Sequence, residues 1–325
     1  MPQTSPTCRV RPTTVTFASS MTTENFAGRT IAGYELEELV GEGGTATVYR
    51  ATHPEHGQCA VKFLKQRLRK DPTAVKRFLR EAGFGARVQH ESVVSTYDYG
   101  QEEDLYYLAL EWVSGEPLSS YAKNTGRLAP PKVVNIVTQL TNGLAAAHAV
   151  GIIHRDLKPE NVVYDPETEI VKLLDFGIAR DAQEPASDRL TRTGFFVGTL
   201  QYVAPEALSG ELVGEQADIF SVAKITYYLL TGVLPHPGRS PREVFQQLLT
   251  QPPTPLNQAV RDLKFPPELE AAVMRGLERQ PADRQPTVIA FAEELARGVE
   301  GSTTEQKKGL FGSIKSFVKD RRAKD

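Results

Sequence analysis

The run His154-Arg155-Asp156-Leu157-Lys158-Pro159-Glu160-Asn161, followed a short way on by Asp175-Phe176-Gly177, gathers the carboxylates of Asp156 and Asp175, the Asn161 amide and the Lys158 ammonium group into one short stretch of chain. These residue types suit the transfer of a phosphoryl group. Such a transfer needs little covalent help; the protein positions the acceptor and neutralises charge spread over phosphate oxygens. Magnesium takes oxygen ligands and keeps several waters, so a carboxylate (Asp175) and a side-chain amide oxygen (Asn161) suffice to hold it without a full protein cage. Asp156 then remains to orient an attacking hydroxyl and accept its proton, and Lys158 to contact the transferred phosphate. Either motif alone is a weak signal. Their order and closeness together are specific.

With these motifs the chain resembles the protein kinase family, and within it the bacterial Hanks-type serine/threonine kinases, from about Tyr34 to Ala296. The resemblance implies an α+β, two-lobed protein kinase fold. Residues 1–29 form a disordered extension, 30–113 a small antiparallel β N-lobe with one main helix, 114–300 a larger, mostly helical C-lobe, and 301–325 a basic amphipathic tail. It also implies ATP and Mg2+ as cofactors, with Mn2+ as an alternative ion.

Upstream, Gly41-Glu42-Gly43-Gly44-Thr45-Ala46-Thr47-Val48 lies between an apolar stretch that includes Leu39 and Val40 and the segment Tyr49-Arg50-Ala51, which reads as strand, tight turn, strand. Glycines at 41 and 43 let backbone amides approach phosphate closely. Ala46 stands where the family usually has its last glycine, and if that position needs positive φ the alanine costs about 1 kcal/mol. Val40 and Val48 belong to the implied nucleotide contacts. Cys59-Ala60-Val61-Lys62 resembles the family strand that carries the ATP-contacting lysine; alternation sets Ala60 and Lys62 on one face, with Cys59 facing away, and the resemblance implies Ala60 toward adenine and Lys62 toward the α and β phosphates. Glu81, in Arg77-Phe78-Leu79-Arg80-Glu81-Ala82, is the implied partner of Lys62; two solvated surface charges are the alternative.

Leu108-Ala109-Leu110-Glu111-Trp112-Val113 reads as a buried strand ending in a turn and resembles the hinge between the lobes. By that resemblance, the backbone of Glu111 and Val113 binds the adenine edge, Leu110 limits the back of the pocket, and Trp112 packs beside the hinge without touching nucleotide. Downstream, the connection from Asp175 to Ala204-Pro205-Glu206 matches the activation segment. Thr191 and Thr193 resemble autophosphorylation sites, with Arg155 as the cation for a phosphate there. Thr199 matches the threonine that bridges Asp156 and Lys158, which argues for Ser/Thr acceptors on protein substrates. Asp218 resembles the residue that braces the catalytic loop, and Arg284 the arginine that pairs with Glu206. Lys224, inside an apolar helix, is expected to snorkel to the surface.

The chain has 325 residues, 40% of them hydrophobic, a net charge of −2 and two cysteines, Cys8 and Cys59. That length calls for more than one lobe or domain. The charge gives no case for nucleic-acid binding, and two cysteines make no disulfide framework or cysteine zinc site, which fits a cytoplasmic protein. No apolar stretch reads as a transmembrane span; the longest, Ile219 to Leu234, is broken by Lys224. The Thr-, Ser- and Pro-rich leader has no acidic residue before Glu24, which suggests disorder or translation starting at Met21 rather than a transit signal. In the tail, Leu310, Phe311, Ile314, Phe317 and Val318 recur at helical spacing among lysines and arginines. Such a helix lies on an anionic membrane or docks on a partner or on its own kinase domain, although Gly309 and Gly312 favour a frayed tail when unbound. A transient dimer for trans-autophosphorylation is compatible with this reading. The competing functional class is a pseudokinase scaffold; that class usually loses one of the chemical groups named here, and none is missing.

Overall fold

The computed structural model describes residues 24–175, 201–209, 213–238 and 240–300. Most of the leader, the threonines Thr191, Thr193 and Thr199, and the 301–325 tail lie outside the described residues.

The first lobe is a six-stranded antiparallel sheet in the order β1-β2-β3-β4-β6-β5. Its strands are β1 (Thr30–Ile31), β2 (Tyr34–Glu42), β3 (Ala46–His53), β4 (Gly57–Leu64), β5 (Thr96–Glu102) and β6 (Leu105–Glu111), and α1 (Pro72–Gly85) joins β4 to β5. Alternation gives each strand two different faces. Tyr49, Ala51, Cys59, Val61, Phe63 and Ala109 are buried on one face, with Tyr34 and Leu36. On the other, Ala46, Leu64 and Leu108 pack against Phe78 and Ala82 of α1. The register pairs Val48 with Lys62 and Ala60 with Leu110, which places these four on the α1 face. The helix covers them only in part, reaching Lys62 through Glu81 and Leu110 through the Phe78–Ala82 cluster, and all four stay half-buried. α1 starts cleanly because the Asp71 carboxylate caps it, accepting from the Thr73 amide at 2.9 Å, with Pro72 at its first position.

The second lobe carries a small sheet of β7 (Glu116–Pro117), β8 (Val162–Tyr164) and β9 (Val171–Leu173) and is otherwise helical. Its helices are α2 (Leu118–Thr125), α3 (Pro130–Ala149), α4 (Pro205–Ser209), α5 (Gln216–Thr231), α6 (Pro241–Thr250), α7 (Pro267–Gly276) and α8 over residues 288–300. One apolar core runs between α3, through Ile136, Leu140 and Leu144, and α5, through Ile219, Val222 and Ile225. α5 ends at Gly232, whose φ of +75° supplies the left-handed cap and lets its amide reach the Tyr228 carbonyl at 2.7 Å. The lobes are stitched together at β9: Val94 donates to the Leu173 carbonyl at 3.0 Å, and Leu173 donates back to Ser92 at 2.8 Å.

Two expectations meet a different outcome. Ala46 begins β3 without a positive φ, so the conditional alanine penalty does not arise. Lys224 does not reach the surface. It is fully buried, its Nζ has no hydrogen-bond partner among the described residues, and it lies 5.2 Å from the centroid of the Phe220 ring. Every residue of α5 from Ala217 to Tyr227 is buried, so the aliphatic stem has no exposed helix face to run along. Among the described residues no helix is long and apolar enough to cross a membrane.

Candidate active site

Lys62, on the α1 face of β4, reaches two carboxylates at once: Glu81 of α1 at 3.0 Å and Asp175, just past β9, at 2.8 Å. One ammonium group therefore ties the sheet, the helix and the second lobe together. Burial opposes its charge, but Asp175 and Glu81 outweigh burial and hold the Lys62 ammonium above its usual range. Burial works against the Asp175 carboxylate as well, yet the lysine charge and hydrogen bond keep it below the usual carboxylate range. Glu81 goes the other way: burial, only partly offset by Lys62, pushes it up. Asp175, the closer of the two carboxylates, is thus held ionised, as a cation ligand must be.

The catalytic loop is held from beneath. Asp218, in the first turn of α5, is fully buried; its Oδ2 accepts from the His154 amide at 2.9 Å and its Oδ1 from the Arg155 amide at 3.0 Å. His148, at the end of α3, closes on the same carboxylate at 2.8 Å. Arg155 sits at φ +62° and Asp175 at φ +28°, left-handed backbone that non-glycine residues rarely adopt and that clusters at functional sites. Above this brace Lys158 donates to Asp156 Oδ2 at 3.0 Å, and Asn161 Nδ2 donates to the Asp156 carbonyl at 2.9 Å. The Leu174 amide bonds the Asn161 carbonyl at 2.8 Å, which brings Asn161 beside Asp175. The paired oxygen donors Asp175 and Asn161 fit a small, water-rich divalent ion. Among the described residues no group of three or more His, Cys, Asp or Glu side chains forms a denser metal cage.

The other end of the cleft is apolar. Val48, Ala60 and Leu110 face it half-buried, and Val40 is 44% exposed beside Gly41. The Gly43 amide bonds the Ala46 carbonyl at 2.9 Å and closes the tight turn. A Cβ at Gly41 or Gly43 would meet nothing nearer than 3.6 Å, so the protein's own packing does not require these glycines, and the space beside them is open to a ligand. Past the hinge residues Glu111 and Val113, Gly115 is obligatory: it has φ +106°, and a Cβ there would lie 2.5 Å from the Tyr164 carbonyl oxygen. Trp112 packs under the Arg50 guanidinium, 6.0 Å from its ring. Asp156, Lys158, Asn161, Asp175, Lys62 and Glu81 are thus brought together, Val40, Gly41, Gly43, Val48, Ala60, Leu110, Glu111 and Val113 line the strands and hinge beside them, and Thr199 lies outside the described residues.

Two participants were missed by the sequence reading. His148 carried no signal beyond a polar residue at a helix end. Lys172, between the buried Val171 and Leu173, carried the alternation of a strand with one solvent-side residue, but its Nζ sits 2.6 Å from Glu111 Oε1 at the hinge. Farther down, Arg284 Nη1 and Nη2 clasp both Glu206 oxygens at 2.7 and 2.8 Å, buried together at the base of the second lobe.

The chain is similar to known proteins. The family model for the protein kinase domain matches residues 34–296. The serine/threonine-protein kinase pkn3 of Myxococcus xanthus is 38% identical over 281 residues, covering 84% of this chain and 51% of that protein. PknB of Mycolicibacterium smegmatis is 36% identical, covering 85% of this chain and 44% of its own length. The chain therefore spans about half the length of the curated relatives it matches. Among solved structures, the Mycobacterium tuberculosis PknI kinase domain superposes with a TM-score of 0.65 at 29% identity, over 84% of this chain and 98% of that one.

Proposed function

The chain belongs to the protein kinase family, and from that premise we propose that it is a serine/threonine protein kinase, moving the γ-phosphoryl group of ATP to Ser or Thr hydroxyls of protein substrates. One observation carries the proposal: Lys62 bonds Glu81 and Asp175 simultaneously, at 3.0 and 2.8 Å, so the groups that grip phosphate and cation are already in register. Asp175 and Asn161 would hold a magnesium ion, with manganese as the alternative, which would supply neutralisation of charge on the outer phosphates. Asp156 orients the acceptor hydroxyl and takes its proton as the new O–P bond forms and the bond to the ADP oxygen breaks. Lys158, already hydrogen-bonded to Asp156, steadies the moving phosphoryl group. The hinge amide and carbonyl groups near Glu111 and Val113 take the adenine edge, and the apolar Val40, Val48, Ala60 and Leu110 exclude water from the base.

Autophosphorylation at Thr191 or Thr193 belongs to the same proposal. Its support is Arg155, whose Nε is buried and without a hydrogen-bond partner among the described residues, a cation suited to a phosphate brought in by the activation segment. The domain limits 30–113 and 114–300 are proposed on the same footing, and the 301–325 tail as a contact for an anionic membrane or a partner.

The experiment is phosphate transfer from labelled ATP. Wild type should label itself on threonine in a magnesium-dependent way; Lys62→Met and Asp156→Asn should each lose at least about 100-fold, the scale of a general-base or positioning group, with unchanged far-UV CD. Nucleotide binding without transfer by wild type would place the chain among the pseudokinases.

A further inference from the structure

The Lys172–Glu111 contact joins two places that no sequence motif connects. Glu111 ends β6, where the hinge meets the adenine edge; Lys172 lies on β9, three residues before Asp175. Their charged atoms are 2.6 Å apart, and only 15% of the lysine side chain and 23% of the glutamate side chain reach solvent. Both oxygens of Glu111 are engaged: Oε1 by Lys172, and Oε2 by the Ser95 amide at 3.1 Å. The Glu111 amide in turn donates to the Ser95 carbonyl at 2.9 Å. The segment holding Ser95 is itself stitched to β9 by the Val94–Leu173 and Leu173–Ser92 hydrogen bonds and by the bridge between Val93 and Leu173. Three stretches of chain, the end of β6, residues 92–95 and β9, therefore close into one clip around a single carboxylate.

We propose that Lys172 and Glu111 form a strut that sets the spacing between the hinge and Asp175, making Lys172 a positioning residue for the nucleotide. This deepens the kinase reading and rests on it. A nucleotide spanning the cleft must satisfy the hinge at one end and the Asp175 cation at the other, so a fixed span lets both ends bind at once. Lys172 touches neither end. It acts through Glu111, and its loss leaves the β6 terminus and β9 joined only through residues 92–95, so that their spacing is less tightly fixed.

The test uses the full chain and the variants Lys172→Met, Lys172→Arg, Glu111→Gln and the Lys172→Met/Glu111→Gln double. Lys172→Met should raise KM for ATP roughly three- to tenfold, the scale of a partly buried ion pair, with KM for a peptide acceptor unchanged. Lys172→Arg should restore the wild-type value, and the double variant should be no worse than either single one, because both remove the same contact. Hydrogen exchange of the nucleotide-free protein reads the clip separately: Lys172→Met should speed exchange at the Val94, Ser95, Glu111 and Leu173 amides. Unchanged exchange overturns the strut, and so does an unchanged KM for ATP in an active enzyme. If wild type transfers no phosphate, faster exchange in Lys172→Met upholds the strut while the kinase reading falls, and unchanged exchange removes both.

Discussion

Replacing Lys224 by methionine should stabilise this protein at neutral pH and change how its stability depends on pH. Burial pushes the lysine down from its ordinary 10.5 to about 7, and among the described residues no carboxylate offsets that. A titratable group near it is His236, in the loop after α5, which is buried, has an Nδ1 with no hydrogen-bond partner among the described residues, and is pushed down to about 4 by burial and by the lysine charge, against a hydrogen bond with the Gln251 backbone. Phe220 returns part of the lost solvation through its ring face, but the Arg284 guanidinium lies 4.9 Å from the same ring and already uses it. The folded value lies below the unfolded one, so between about 7 and 10.5 the unfolded chain binds more protons. Stability therefore rises with pH across that window, by at most about 1.4 kcal/mol per pH unit, and the full penalty of a few kcal/mol stands below about 7.

The assay is the melting temperature of wild type and Lys224→Met at pH 7 to 9.5, below the range where the buried tyrosines titrate. At pH 7 the variant should melt higher, by about 2 °C for each kcal/mol regained. The gap should narrow steadily toward pH 9.5, because wild type recovers what the variant never lost. His236, depressed as well, adds a separate loss of stability as pH falls from 6.5 toward 4 in both proteins, smaller in the variant. Parallel curves from pH 7 to 9.5, or a variant that melts lower at every pH, would refute the reasoning and mean that the ammonium group is charged and well solvated inside the fold.

Arg284→Met should be strongly destabilising, by about 3–5 kcal/mol, because it strands the buried Glu206 carboxylate; thermal melting checks this, and Glu206→Gln should cost a comparable amount. Asp218→Asn keeps the size of the side chain but offers one oxygen where two now accept from His154 and Arg155, so kcat should drop by at least about tenfold with a smaller change in KM, measured by peptide phosphorylation. Cys59 is fully buried, and burial, with a smaller push from Glu37, raises its thiol to about 11, so peptide mapping after maleimide treatment at pH 7.5 should find it modified only in denatured protein.

The residues legible in the sequence are those that local period or the family resemblance singles out. Alternation assigns Lys62 to a strand face, while its pairing with Glu81 is implied by the resemblance; the 3.0 Å contact between them selects that pairing over two solvated surface charges. Asp218, an aspartate opening an apolar helix, was legible through the same resemblance. Ala46 was read conditionally, since sequence does not supply φ, and the extended backbone at the start of β3 removes the condition. Lys172 was illegible for a different reason. Its partner Glu111 lies in the other lobe, and nothing in Val171-Lys172-Leu173 tells a solvated lysine from one that meets a hinge carboxylate.

Lys224 marks the boundary most sharply, because it shares α5 with Asp218. A lysine in an otherwise apolar helix reads as a surface residue whenever one helix face is open, and whether a face is open depends on the elements packed around α5 rather than on α5 itself. Asp218 is as buried as Lys224, yet its oxygens collect two backbone amides and an imidazole, while among the described residues the Lys224 ammonium collects only a ring face. One helix thus holds a fully satisfied charge under the catalytic loop and an unsatisfied one two turns farther on. Asp218 and the Glu206–Arg284 clasp, whose Arg284 Nη1 also donates to the Gln216 carbonyl at 2.7 Å, fix the N-terminal end of α5 in place. It follows that weakening Asp218 or Arg284 should make the penalty at Lys224 easier to relieve by local opening, so the pH dependence described for Lys224→Met should shrink in an Asp218→Asn background, and pH-independent additivity of the two substitutions in melting would contradict that coupling.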